Sequence, residues 1–199
     1  MSGIAGQPYD VAIVGAGPVG SLCALTHARK GARVALLEAN PKASRRLAGE
    51  WLHPPAVRIL RDIGIDIDTL PRSTPGNGFA VYPEDGSEPI LLPYPDGSRG
   101  LACDHALLVS SLREAIEDEA DVDFISHARV NAVDDGRVAF SVHGDERSIA
   151  AARIVGADGR ASIVRQSLGL STNPMFCSRM LGVTMDEADL PFEGYGHVV

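Results

Sequence analysis

Apolar and polar positions fall into blocks whose period changes along the chain. An apolar run at residues 9–14 leads into a glycine cluster, a helical stretch to residue 30 and a second apolar run at 33–37. That order predicts strand, helix and strand, with the two strands parallel and joined by a right-handed crossover. Residues 54–63 predict a helix whose apolar face is Ala56, Ile59, Leu60 and Ile63, with Gly64 closing its end. Residues 70–100 are rich in proline and glycine, with short apolar runs at 79–82 and 90–92, which is loop and edge-strand composition. A third helix is expected over 104–119, with Leu108, Leu112 and Ala115 along its stripe. Three short strands follow at 122–125, 128–133 and 138–142, the last two joined by the turn Asp134-Asp135-Gly136. Residues 152–157 read as a buried strand of small and β-branched side chains, followed by a short helix over 162–168. Strand-like runs at 181–185 and 196–199 end the chain, the last without a partner in view.

The glycine cluster carries chemistry. Gly15-Ala16-Gly17-Pro18-Val19-Gly20 stands between a strand and a helix, the context in which such a cluster serves as a dinucleotide fingerprint. Gly15 permits the tight turn, Gly17 lets the backbone approach a pyrophosphate, and Gly20 lets the helix pack on the strand. The start of the helix offers N–H groups and a positive dipole end to phosphate. Glu38, at the end of the second strand, has the spacing of an acid that accepts ribose hydroxyls and disfavours a 2′-phosphate. The residues imply FAD or NAD and do not separate them.

Composition narrows the class. At 199 residues, with 45% hydrophobic and 22% charged positions, the chain can bury a core and shows no signature of disorder. A net charge of −8 without a basic run argues against a nucleic-acid surface. Cys23, Cys103 and Cys177 are dispersed and odd in number, which suggests neither a disulfide framework nor a metal cluster. The acidic run Glu117, Asp118, Glu119, Asp121 and Asp123 holds no histidine and reads as a solvated helix end. No apolar stretch reaches membrane-spanning length, and a cytoplasmic location is expected.

A second motif points to flavin. Val155-Gly156-Ala157-Asp158-Gly159-Arg160-Ala161-Ser162 closely resembles the aspartate-glycine motif of the FAD-dependent monooxygenases of the para-hydroxybenzoate hydroxylase-like family. The resemblance extends to squalene epoxidase-like and geranylgeranyl reductase-like branches. It implies that Asp158 and Gly159 meet the ribityl and pyrophosphate region of FAD, alongside Gly15, Gly17, Pro18, Val19, Gly20 and Glu38. Arg45 or Arg46 is the implied flavin-edge arginine, with a surface pair as the alternative. The segment Gly49-Glu50-Trp51-Leu52-His53-Pro54-Pro55 is similar to one that passes beside the flavin ring, making Trp51 and His53 candidate ring neighbours, with packing or capping the commoner role of such residues before a helix. His105 stands where the family carries an arginine and could give the cofactor one hydrogen bond.

The implied fold is α/β: a Rossmann-like, three-layer FAD-binding domain with a parallel sheet, plus the beginning of a β-rich substrate domain. Residues 1–70 and 101–174 would form the first, with 71–100 and 175–199 as excursions into the second. The implied activity is hydroxylation or epoxidation of an aromatic or isoprenoid-like small molecule with NAD(P)H and dioxygen. A reductase of the geranylgeranyl type and a noncatalytic nucleotide-binding subunit are the alternatives. No nucleophile elbow, zinc motif or catalytic dyad is present in the sequence, so no side chain is assigned a catalytic step. The family's later glycine-aspartate motif is not matched, and the chain is expected to be completed by further polypeptide.

Overall fold

The computed structural model describes residues 8–42, 49–170 and 189–199. Along the chain the elements are β1 (Tyr9–Val14), α1 (Pro18–Ala28), β2 (Val34–Glu38), β3 (Gly49–Leu52), α2 (Pro54–Asp62), β4 (Thr74–Gly76), β5 (Gly78–Val81) and β6 (Ile90–Pro93). They continue with β7 (Gly100–Asp104), α3 (His105–Glu117), β8 (Val122–Ser126), β9 (Ala128–Asp134), β10 (Arg137–Val142), β11 (Asp145–Gly156), α4 (Ile163–Ser167) and β12 (Tyr195–Val198). The described residues form two compact units, 8–42 with 109–170 and 49–108 with 189–199, so the division falls within α3.

The first unit is built on a six-stranded sheet ordered β8-β2-β1-β11-β10-β9. β8, β2, β1 and the end of β11 are parallel, as the strand-helix-strand pattern requires. β11 does two jobs. Its first half pairs antiparallel with β10, from Asp145 against Val142 to Ala150 against Arg137, and its second half runs parallel to β1, from Ala151 against Tyr9 to Gly156 against Val14. Alternation along β1 and β2 divides the core between two faces. Ala12, Val14, Ala35 and Leu37 join Val138, Phe140, Ile149 and Val164 in one apolar cluster. Val11, Ile13, Val34 and Leu36 turn to the other face, and α1 packs on β1 and β2 with Ala24, Leu25 and Ala28 buried. Within α3 the buried positions are Leu108, Val109, Leu112 and Ile116, so Leu108 and Leu112 of the expected stripe are buried, while Ala115 is only half-buried and Ile116 takes its place.

The expected buried strand at 152–157 needs correction: Ala152 and Arg153 are exposed, and Ile154 and Val155 only half-buried. Parallel pairing to β1 satisfies its backbone without enclosing every side chain. The acidic run expected to be a solvated helix end continues past α3 into β8, and two of its members are ion-paired. Arg29 meets Glu119 at 3.0 Å, and Arg33 meets Asp123 at 3.4 Å beneath the Tyr9 hydroxyl, which donates to Asp123 at 2.7 Å.

The second unit holds two three-stranded sheets, β3-β7-β4, which is antiparallel, and β12-β5-β6. β12 runs parallel to β5, with Tyr195 against Gly78 and Val198 against Val81. The terminal strand, expected to be partnerless, therefore has a partner far away in sequence, which a local pattern cannot reveal. β3, β4 and β7 were not foreseen, because their short mixed sequences lack a clean period of two. In α2 the buried pair is Val57 and Leu60, while Ile59 is 54% exposed, so the expected face is rotated away from Ile59. Gly64, at φ +72°, does close the helix.

That rotation is testable. Leu60→Ala should destabilise the protein by about 2–4 kcal/mol through loss of buried side chain and the cavity left behind. Ile59→Ala should stay within about 0.5 kcal/mol of the parent. Denaturant melts of the two variants check both values, and equal losses would contradict the burial pattern.

Candidate functional site

The glycine loop follows β1 and is seated against two other strand ends. Gly15 N–H donates to Leu37 O at 2.7 Å, and Ala157 N–H to Val14 O at 2.8 Å. Gly15 has φ +99°, and a Cβ built on it would stand 2.5 Å from Ala157 O. A Cβ on Gly20 would stand 1.8 Å from Gly15 O and 3.2 Å from Ala157 Cβ. The two motifs, distant in sequence, are thus packed backbone to backbone where only glycine fits. Gly17 differs, because nothing lies within 4 Å of a Cβ placed there. It precedes α1 at φ −74°, with no side chain capping the helix and Pro18 in its first turn. Val19 is 73% exposed beside it. The loop therefore presents uncapped N–H groups to open space, the chemistry a phosphate needs.

Ala16, fully buried, is the fixed point of the loop. Its N–H donates to Glu38 Oε2 at 2.8 Å, and its carbonyl accepts from Arg113 Nη2 at 3.2 Å and from Ser21 Oγ at 3.4 Å. Glu38 Oε1 accepts from Asn40 N–H at 2.8 Å. Each carboxylate oxygen keeps a second lone pair, so Glu38 can hold the loop and still accept a hydroxyl.

Asp158 lies where β11 ends. Its Oδ2 accepts from Ile163 N–H at 2.6 Å and Val164 N–H at 3.4 Å, capping α4 together with Ser162, whose Oγ accepts from Arg165 N–H at 3.0 Å. Oδ1 is buried and has no partner among the described residues. A buried carboxylate oxygen without a donor is costly, and a ligand hydroxyl is the donor that would relieve it. A Cβ on the adjacent Gly159 would meet nothing within 4 Å. These residues fit FAD: a cradle closed to side chains, free amides at a helix start, a ribose-type acid and an unpaired acceptor.

In the second unit, His105 is held by Glu50. Its Nδ1–H donates to Glu50 Oε1 at 2.6 Å, with the imidazole only 12% exposed. With Nδ1 committed, the neutral ring offers Nε2 as an acceptor, and donation to a cofactor requires the imidazolium. Asp104 Oδ1 caps α3, accepting from Ala106 and Leu107 N–H. Trp51 Nε1–H donates to Tyr94 Oη at 2.8 Å, and Tyr94 Oη lies 2.6 Å from His53 Nδ1. The Trp51 and Phe79 rings pack 5.2 Å apart, and Trp51 is half-buried. His53 is exposed and lines a cavity of about 550 Å³ with Arg58, Tyr94 and Ser98. Arg45 and Arg46 lie outside the described residues. Sequence reasoning missed Arg113 and Tyr94; the one available signal was an arginine directly beside the apolar stripe of α3.

Set against known proteins, residues 8–199 match the model of the FAD binding domain family. The chain belongs to that family. It is 29% identical over 192 residues to squalene monooxygenase of Mus musculus, covering 90% of this chain and 33% of that protein. It is 31% identical over 193 residues to kynurenine 3-monooxygenase of Myxococcus xanthus, covering 91% and 41% respectively. Among solved structures, p-nitrophenol 4-monooxygenase PnpA of Pseudomonas putida superposes with a TM-score of 0.73 at 24% identity, over 85% of this chain and 44% of that one. The chain thus spans about a third to a half of the length of the relatives it matches. Among the described residues, no helix is long and apolar enough to cross a membrane.

Two predictions follow from the geometry. Gly20→Ala should prevent the loop from closing and depress both folding and FAD retention. Gly17→Ala should leave the melting temperature of the FAD-free protein near that of the parent and weaken FAD binding. Calorimetry and flavin fluorescence titration separate the two cases. The second prediction concerns Cys103, whose thiol is pushed up to about 11 by burial first and then by the Glu50 and Asp104 carboxylates. The folded state keeps this proton between the ordinary 9.0 and about 11, while the unfolded chain releases it. Stability from this group is therefore fully present below that window and lost as pH rises through it. Urea melts at about pH 8 and about pH 10.5 should show the fall, and Cys103→Ala should flatten it.

Proposed function

We propose that this chain forms the FAD-binding part of a monooxygenase that uses NAD(P)H and dioxygen to hydroxylate or epoxidise an aromatic or olefinic small molecule. The observation that carries the reading is the unpartnered, buried Asp158 Oδ1 beside the glycine loop. It supports a ligand hydroxyl at the end of β11, and the free amides at the start of α1 support a pyrophosphate next to it. When bound, FAD supplies the two-electron redox chemistry and the reaction with dioxygen.

The chain's own residues bind and orient. Gly15, Gly17, Pro18, Val19 and Gly20 hold the pyrophosphate, Glu38 accepts the adenosine ribose hydroxyls, and Asp158 with Gly159 meets the ribityl side. Arg45 or Arg46 takes the flavin-edge role that the family resemblance suggests. In the second unit the exposed His53, hydrogen-bonded to Tyr94, is better disposed to meet a ligand than Trp51, whose indole N–H is spent on Tyr94. His105 contributes through Nε2, since Nδ1 is taken by Glu50. The names of the relatives, squalene monooxygenase and kynurenine 3-monooxygenase, support oxygen insertion and leave the substrate between an isoprenoid-like and an aromatic molecule.

The native protein should yield stoichiometric FAD on extraction and consume oxygen with NAD(P)H and substrate. Saturation of a double bond without oxygen uptake would replace the oxygenase reading with a reductase one. Glu38→Ala should weaken FAD binding by about 1.5–3 kcal/mol, the usual scale for a hydrogen bond to a charged group. Asp158→Ala should lose both the flavin contact and the α4 cap, the latter at about 1 kcal/mol. Parent-like FAD content in Asp158→Ala would reduce Asp158 to a capping residue.

A further inference from the structure

We infer that Arg113 is a positioning residue for FAD, acting through the backbone carbonyl of Ala16; this rests on the reading of the glycine loop and Glu38 as the nucleotide site. Arg113 projects from α3 with its side chain 13% exposed. Its Nη2 donates to Ala16 O at 3.2 Å and its Nη1 to Pro41 O at 3.0 Å. The guanidinium stands 3.8 Å from Glu38 Oε2, the oxygen that accepts the Ala16 N–H. One buried residue in the phosphate loop is thus gripped at its N–H by a carboxylate and at its carbonyl by a guanidinium, which fixes the two peptide planes on either side of its Cα. The same guanidinium fixes the chain just past Glu38, tying the loop and the ribose-side segment to a single planar fork.

A purely structural role fits these facts poorly. α3 is anchored in the first unit by Val109, Leu112 and Ile116, each 1% exposed or less. Among the described residues the buried Nε–H of Arg113 has no partner, a cost that methionine of similar length would avoid. What the head group holds is backbone at the nucleotide site, namely Ala16 and Pro41. Lysine could donate to either carbonyl but lacks the fork that reaches both.

The test uses the native protein, stripped of flavin and titrated with FAD by fluorescence, for parent, Arg113→Met, Arg113→Lys, Glu38→Gln and the Arg113→Met/Glu38→Gln double variant. Circular dichroism gives the folded fraction in each case. Loss of the two hydrogen bonds should raise the FAD Kd of folded Arg113→Met about tenfold, with Arg113→Lys recovering part of the loss. The double variant should be distinctly non-additive, because both residues act on Ala16 and approach each other at 3.8 Å. A folded Arg113→Met with the parent Kd, or additive effects of the two substitutions, would overturn the proposal. Should Arg113→Met fail to fold, Arg113→Lys decides: a Kd equal to the parent's overturns it, and an intermediate Kd supports it. Failure of the parent itself to bind FAD would remove the underlying reading, an outcome distinct from parent binding with unaffected variants.

Discussion

The backbone of Gly15 lies against the backbone of Ala157 and beneath Gly20, and no side chain fits between them. Three chain segments meet there: the ends of β1 and β11 and the start of α1. Their convergence explains why β1 and β11 must be parallel neighbours, since only then do both strands deliver their C-terminal ends to one place. It also explains why α1 starts so soon after β1, with a single tight turn at positive φ. The alternating faces of β1 and β2 follow from the same placement: α1 packs on one face, and Val138, Phe140 and Ile149 join Ala12, Val14, Ala35 and Leu37 on the other. Burial along β2 is indeed continuous from Val34 to Glu38.

That unbroken burial is why this part was readable in the sequence. A fully buried parallel strand announces itself as an apolar run, a glycine turn with fixed spacing announces the helix, and an acid at the end of the next strand announces the ribose side. The rest was hidden for specific reasons. The first half of β11, Asp145 to Ser148, is polar and largely exposed, so it resembles a loop until β10 pairs with it. β12 finds its partner β5 across most of the chain's length, and no local period records that pairing. Ile59 and Val57 are chemically equivalent in a helical pattern, and only the neighbours of α2 decide that Val57 faces inward.

The site divides in the same way. Residues that act through backbone geometry, Gly15 and Gly20, could be read from type and spacing, because no other residue can occupy those positions. Residues that act through a side chain reaching across the fold could not. Arg113 meets Ala16 from a helix far along the sequence, and its chemistry appears only when α3 lies over the loop. Tyr94 sits in a proline-rich stretch without periodicity, yet it is the shared partner of Trp51 and His53.

Energetics explain why the loop is held by charged groups at all. Glu38 and Arg113 are both largely buried, and a buried ion pair on its own tends to be neutral for stability, because desolvation offsets the attraction. At 3.8 Å this pair is not even a close one. The balance shifts once each partner takes a polar group of Ala16, because a buried N–H and C=O left unpaired would each cost about 1–3 kcal/mol. A loop that must keep its other amides free for a ligand cannot satisfy those two groups with its own backbone. Side chains from outside the loop have to do so, and a charged donor and acceptor form the strongest such bonds. The price of burying Glu38 and Arg113 is therefore set against a loop that is rigid before its ligand arrives and still has its amides to give.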